Sequence, residues 1–295
     1  MEEEIVPNFI MKKNKLGHGS FGDVYLGKNT KTGEKVAIKV EAPGRKKILK
    51  HEYGVYQDLE GLPHGPHIPK IYYFGKNNGK TIMIMEFLQA SLDKLHVKCD
   101  KVFSLKTTLM IGIQIFDLLK KLHDANYIHR DIKPDNFLLG NDDKTRIFII
   151  DFGLTKKFKN GNNVHVKWVD GKSLVGTARY ASINCHVGIE LSRRDDLESL
   201  FYMLVYFFKG ELPWQGIEAE TREEKYRLIG EKKQSIPPVD LCAGMPSCFT
   251  TALTYITHLG FKDKPDYAYI RKLLTDAFRQ LGYAYDCKYD WVVKK

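Results

Sequence analysis

His129-Arg130-Asp131-Ile132-Lys133-Pro134-Asp135-Asn136 is the stretch from which the rest of the chain can be read. It follows the end of a helical pattern and precedes the apolar run Phe137-Leu138-Leu139. Charge this dense between buried elements is costly unless it is paired or used. Asp131 can accept a proton from a hydroxyl, Lys133 can neutralise charge on a phosphoryl group, and Asn136 offers an amide oxygen to a magnesium ion. Just downstream, Asp151-Phe152-Gly153 follows Ile147-Phe148-Ile149-Ile150, which reads as a buried strand. An isolated Asp-Phe-Gly is a simple turn. Its place directly after the Asp131 loop favours instead a carboxylate at a strand end that faces the same cleft.

Upstream, Gly17-His18-Gly19-Ser20-Phe21-Gly22 is a GxGxxG run. A dinucleotide fold would set it between a strand and a helix. Here strand-like sequence lies on both sides, which fits a hairpin whose backbone N–H groups cover phosphates. Val36-Ala37-Ile38-Lys39 ends an apolar strand on a lysine. That lysine is either a surface charge at a strand edge or an ammonium aimed at phosphates, with Glu52 on the following helix to hold it. Thr32-Gly33-Glu34 is a turn signal, so the flanking strands 16–27 and 35–40 are expected to pair as a hairpin. A helix over 46–59 and strands over 71–74 and 81–87 complete a mostly antiparallel sheet with one helix. Beyond residue 88 the pattern turns helical, with helices expected over 107–122 (Ser104 as N-cap), 197–208 and 267–280. The expected architecture is α+β: a small β-rich lobe over about 1–88, a hinge at Glu86-Phe87-Leu88, and a larger, mostly helical lobe over about 89–295.

The chain has 295 residues, 43% hydrophobic and 28% charged, which excludes disorder, collagen and coiled coil. Lys plus Arg is 46 and Asp plus Glu 36, a net charge of +10. That surplus reads either as a solvated basic surface or as an affinity for an anionic partner. There is no zinc-finger spacing, no RNP-like strand and no long Lys/Arg block, so no nucleic acid is expected as a partner. The longest apolar run, Leu200 to Phe208, is far short of the roughly 20 residues that span a bilayer, so no membrane is expected either. The glutamates after Met1 are wrong for a secretory signal. Five cysteines form no CxxC pair, which points to reduced thiols and a cytoplasmic or nuclear location.

Taken in order, these elements match the protein kinase signature set. More closely, the chain resembles the casein kinase 1 family of Ser/Thr kinases. The family marks are Gly176-Thr177-Ala178-Arg179-Tyr180-Ala181-Ser182-Ile183-Asn184, with Ser-Ile-Asn where most kinases carry Ala-Pro-Glu, Ser192 to Leu200, Leu212-Pro213-Trp214-Gln215-Gly216 and Asp263-Lys264-Pro265-Asp266-Tyr267. The resemblance implies a bilobal kinase fold and transfer of the ATP γ-phosphoryl to Ser or Thr of protein substrates. By position, Gly17, His18, Gly19, Ser20, Phe21 and Gly22 would cover the phosphates, and Lys39 paired with Glu52 would hold them. Leu16, Val24, Ala37, Leu138 and Ile150 would sandwich adenine, Met85 would be the gatekeeper, and Glu86 and Leu88 would offer hinge backbone groups. Asp131 would position and deprotonate the substrate hydroxyl, with Lys133 and Thr177 marking Ser/Thr specificity. Asn136 and Asp151 would bind Mg²⁺, and Asp196 would brace the Asp131 loop.

The family's preference for acidic substrates, often with a phosphorylated residue three before the target, gives the positive charge a use. Arg179, Lys225 and the backbone at Gly216 would bind that anion, and Arg130, Lys156 and Lys172 would form a second anion site. Such clusters suit phosphate through charge-assisted hydrogen bonds. The sequence departs from its relatives at His18, at Cys185, and in a less basic Thr221 to Lys225. A monomer is expected, without the autoinhibitory tail of some members. The main alternative is a pseudokinase-type scaffold that binds phosphorylated partners without turnover. It predicts a broken catalytic position, and Lys39, Asp131, Asn136 and Asp151 are all intact. A small-molecule kinase is disfavoured by the peptide-binding segment 174–184.

Overall fold

The computed structural model describes residues 3–19, 22–43 and 48–293. Along the chain run β1 (Glu3–Val6), β2 (Phe9–Gly19), β3 (Gly22–Asn29), β4 (Lys35–Glu41), α1 (Ile48–Glu60), β5 (Ile71–Asn77) and β6 (Lys80–Glu86). Then come α2 (Leu92–Lys98), α3 (Leu105–Asp124), β7 (Tyr127–Ile128), β8 (Phe137–Leu139), β9 (Ile147–Ile149) and β10 (Lys156–Lys157). The remainder is helical: α4 (Ile183–Val187), α5 (Arg193–Lys209), α6 (Arg222–Ser235), α7 (Pro238–Leu241), α8 (Ser247–Thr257), α9 (Tyr267–Gln280) and α10 (Asp290–Val293). The chain forms two compact units, one of residues up to Ala90 with Phe137–Thr155, the other of Ser91–Asn136 with the residues from Lys156 onward. Phe137–Thr155, expected with the helical part, group with the sheet. The reason is hydrogen bonding: Ile149 N donates to His67 O at 2.9 Å, Gln89 N to Leu139 O at 2.9 Å and Leu139 N to Ala90 O at 3.2 Å.

In the first unit the sheet order is β1-β2-β3-β4-β6-β5, with every neighbouring pair antiparallel. The expected hairpin across Thr32-Gly33-Glu34 is the β3–β4 pair. Side chains alternate across a strand, and directly paired residues share a face. Lys39 pairs with Val24 and Met83, and Ala37 with Met85, so all five sit on one face. The other face sends Val36, Ile38, Ile82 and Ile84 into a core closed by Ile5 and Val6 of β1. The expected helix over 46–59 is α1, whose first expected residues lie outside the described ones. It buries Leu49, Glu52, Val55, Tyr56 and Leu59.

In the second unit α3 is buried almost all round and packs on α5 and α9. It begins where Ser104 caps it, with Thr107 N donating to Ser104 Oγ at 3.2 Å. The α9 helix spans the expected 267–280. By contrast α5 starts four residues before the expected 197, because Ser192 N donates to Asp195 Oδ2 at 2.7 Å and closes a first turn built of charges. Among the described residues, no helix is long and apolar enough to cross a membrane.

Candidate active site

Each unit carries its own half of the predicted residues. In the first, β4 delivers Lys39 and α1 delivers Glu52. Lys39 Nζ lies 2.7 and 2.9 Å from the Glu52 carboxylate oxygens and 3.2 Å from Asp151 Oδ1. Burial alone would lower the Lys39 ammonium, but the carboxylates of Asp151 and Glu52 outweigh it and hold its pKa above the ordinary lysine value. Asp151 is itself buried and sits in the left-handed region, φ 66° and ψ 68°. Strain of this kind persists where the surroundings over-determine it. Phe152 meets Tyr56 of α1 edge to face, with centroids 4.9 Å apart, and His51 Nε2 lies 2.7 Å from Thr155 O. The Asp151-Phe152-Gly153 turn is therefore fastened to the helix that holds Glu52.

The predicted adenine residues belong to the same unit. Val24, Ala37 and the buried Met85 share the Lys39 face of the sheet. Leu138 is central in β8, Ile150 directly follows β9, and Leu16 of β2 is exposed. In the hinge Leu88 is buried, and Glu86 N donates to Lys70 O at 2.8 Å, so what Glu86 can offer a base is its carbonyl. Of the glycine run, Gly17, His18 and Gly19 close β2 and pair with Val24, Asp23 and Gly22. A Cβ on Gly22 would lie 2.5 Å from Val40 O, so the hairpin packs as closely as it does only with glycine there. Ser20 and Phe21 lie outside the described residues.

In the second unit the loop after β7 holds Asp131 between two donors. Thr177 Oγ1 donates to its Oδ1 at 2.9 Å and Lys133 Nζ to its Oδ2 at 2.7 Å. Asn136 Nδ2 donates to Asp131 O at 2.8 Å, which leaves the amide oxygen for another partner. Beneath the loop, Asp196 of α5 accepts from His129 N at 2.7 Å and Arg130 N at 2.9 Å. The same carboxylate lies 3.0 Å from His123 Nε2, and His123 Nδ1 lies 2.6 Å from Tyr267 OH. His123 thus links the Asp196 carboxylate to Tyr267 of α9. Sequence reading found Asp196 but missed His123 and Tyr267. A histidine in the last turn of α3, next to Leu122 and four residues after Leu119, was the available signal.

The two predicted anion sites differ. His186 Nε2 lies 3.2 Å from Ala178 O and its Nδ1 lies 2.9 Å from Tyr226 O. Arg179 and Lys225, each one residue from a carbonyl facing that ring, therefore leave neighbouring backbone and are both exposed. Gly216 is also exposed. At the second site Lys156 and Lys172 lie 2.9 and 3.6 Å from the carboxylate of Glu190, which also feels the charge of Arg130. Burial works to raise the Glu190 carboxyl, but these cations, Lys156 foremost, hold it below the usual range. Arg130, Lys156 and Lys172 thus face an acid supplied by the chain itself, which sequence reading did not foresee.

Comparison with known proteins gives the family. The protein kinase domain family matches residues 10–255. The chain is 46% identical, over 285 residues, to a probable casein kinase I homolog of Encephalitozoon cuniculi (strain GB-M1), covering 95% of this chain and 92% of that relative. The chain belongs to the casein kinase I family of protein kinases. It is an ATP- and Mg²⁺-dependent protein serine/threonine kinase that acts on protein substrates. The kinase's donor set fits that cofactor. Within the first unit Lys39 with Glu52 and Asp151 leaves one negative charge uncompensated, and Asp151 offers hard oxygens. Mg²⁺ typically takes one or two such protein groups together with phosphate oxygens.

Proposed function

We propose that this kinase phosphorylates serine or threonine hydroxyls that follow an acidic or already phosphorylated residue. Asp131 takes the hydroxyl proton, and Arg179 and Lys225 hold the upstream anion. The observation that supports the reading is the His186 ring, which lies 3.2 Å from Ala178 O and 2.9 Å from Tyr226 O, so that the exposed Arg179 and Lys225 are each one residue from a carbonyl facing the same ring. Magnesium-bound ATP supplies an electrophilic terminal phosphoryl group. Lys39, kept charged by its carboxylates, holds phosphate oxygens. Asp151 and Asn136 are the residues that would ligate the metal. Thr177 and Lys133 fix both oxygens of Asp131, so its free lone pair is aimed before the substrate arrives, and Lys133 offsets charge that develops on the phosphoryl oxygens. No disulfide joins the cysteines, which supports a reducing cytoplasmic or nuclear setting.

The test is radiolabelled phosphate transfer to three peptides bearing phosphoserine, aspartate or alanine three residues before the target serine. The expected order of kcat/KM is phosphoserine, then aspartate, then alanine. Asp131→Asn should abolish transfer to all three while keeping the fold and ATP binding. Equal rates on the three peptides would remove the anion site, and an active Asp131→Asn would remove the base.

A further inference from the structure

Helix α6 turns only Ile229, Gly230 and Lys233 inward, and Lys233 is 2% exposed. Among the described residues this ammonium makes no ion pair. Its Nζ donates to Ala178 O at 2.9 Å and to Ala181 O, and it lies 4.9 Å over the Trp214 ring and 5.0 Å over the Tyr202 ring. Burying a lysine without a carboxylate partner is expensive, and an apolar side chain of similar length would fill the same space without that cost. What the nitrogen provides is a donor for two carbonyls that helix α4 and the turn before it leave open. Burial pushes the Lys233 pKa down to about 7 against the opposing charge of Glu198 and Cys185. Even as a neutral amine it keeps two N–H donors, one for each carbonyl.

The two carbonyls bracket the segment that carries the predicted substrate contacts. Tyr180 N and Ala181 N both fold back onto Thr177 O, at 2.9 and 3.0 Å, making one tight turn. At its start Thr177 reaches Asp131; in its middle the exposed Arg179 lays its guanidinium over the Tyr180 and Tyr206 rings while Trp214 Nε1 donates to Arg179 O at 2.7 Å. Side chains from elsewhere in the unit therefore hold the carbonyls of Ala178, Arg179 and Ala181, and Lys233 reaches two of them, sharing Ala178 O with His186 Nε2.

We infer that Lys233 is a positioning residue for substrate recognition: it ties the 177–181 turn to α6, and so fixes Arg179 relative to Lys225 at the other end of the same helix. The inference rests on the reading of Arg179 and Lys225 as the anion site, and the test separates the two. The phosphoserine and alanine peptides are compared as substrates of wild type, Arg179→Ala, Lys233→Met and the double variant, with KM for ATP measured alongside. Lys233→Met, which removes both hydrogen bonds, should raise KM for the phosphoserine peptide on the order of tenfold. KM for ATP should stay unchanged, and in the double variant the preference for the phosphoserine peptide should be no lower than in Arg179→Ala. A mere loss of folded enzyme would lower the apparent kcat and move neither KM. Lys233→Gln restores a donor without a charge, should recover part of the preference, and serves if the methionine variant does not fold.

If Arg179→Ala loses the preference while both Lys233 variants keep it, the positioning role is overturned and the anion site stands. If Lys233→Met raises KM for both peptides alike and Arg179→Ala does nothing, Lys233 still positions the turn and the anion site falls. If neither substitution moves a peptide KM, both fall.

Discussion

Gly176 shows how much one hydrogen atom in place of a side chain can matter. A Cβ there would lie 2.5 Å from Arg130 O and 3.0 Å from Asp131 Oδ1, on backbone with φ +80°. A non-glycine residue held in that region costs about 1–3 kcal/mol, before any clash is counted. The atoms it would meet are the backbone and carboxylate of the loop that carries Asp131, so the strain should be relieved by moving that loop. Gly176→Ala is expected to lower kcat more than tenfold while KM for ATP stays within a factor of two. Steady-state kinetics with a single peptide decides it, and wild-type kcat would show that the loop tolerates the methyl group. At this scale the sequence was most legible where chemistry requires a residue type. Lys39 and Glu52, expected as a pair, meet at 2.7 Å, and Asp151, expected only to face the same cleft, lies 3.2 Å from the same ammonium. The role of Gly176 was not legible, because φ is not written in a sequence. Glu190 was not legible either: it comes from a segment remote along the chain from the cations it serves.

Helix α5 makes the corresponding point for elements. Its first turn, Arg193-Arg194-Asp195-Asp196, is charged throughout, and apolar spacing begins only at Leu197. The carboxylates are nonetheless at home there, since a helix N-terminus favours negative charge. Asp196 is buried, which works to raise its pKa, yet the hydrogen bond and charge of His123 and the N–H of Arg130 hold it below the ordinary aspartate value. A carboxyl depressed in the folded state contributes stability that is fully present above its unfolded pKa of about 3.9 and is lost as pH falls through the folded value. Asp196→Asn should therefore lose about 3 kcal/mol at pH 7 and show a flatter dependence of stability on pH below about 4 than wild type. Denaturant titrations at stepped pH measure both, and parallel curves would show that Asp196 is not a titrating strut. Helix α6 escaped the sequence reading for a different reason. It is mostly charged, only three of its residues point inward, and one of the three is a lysine. No apolar stripe announces such a helix; its neighbours hold it in place.

For the whole molecule the question is where ten net positive charges go. Some are exposed, as at Arg179 and Lys225. Those nearest the catalytic loop do not remain uncompensated, since Arg130, Lys156 and Lys172, drawn from three separate segments, converge on Glu190 just before α5. An acid built into the chain does there what a phosphate added to the segment would do by pairing with arginine and lysine. The kinase should therefore need no activating phosphorylation: protein treated with phosphatase should phosphorylate a peptide as fast as untreated protein. Removing the built-in acid should create the need. Glu190→Gln leaves the three cations repelling one another beside Asp131, and kcat is expected to fall about tenfold, which corresponds to about 1.4 kcal/mol. Inorganic sulfate at millimolar concentration should restore part of that loss in Glu190→Gln and none in wild type, because only the variant has a cationic pocket without its own anion. An unimpaired Glu190→Gln, or a wild-type enzyme silenced by phosphatase, would mean that the charge around Asp131 is balanced by something other than Glu190.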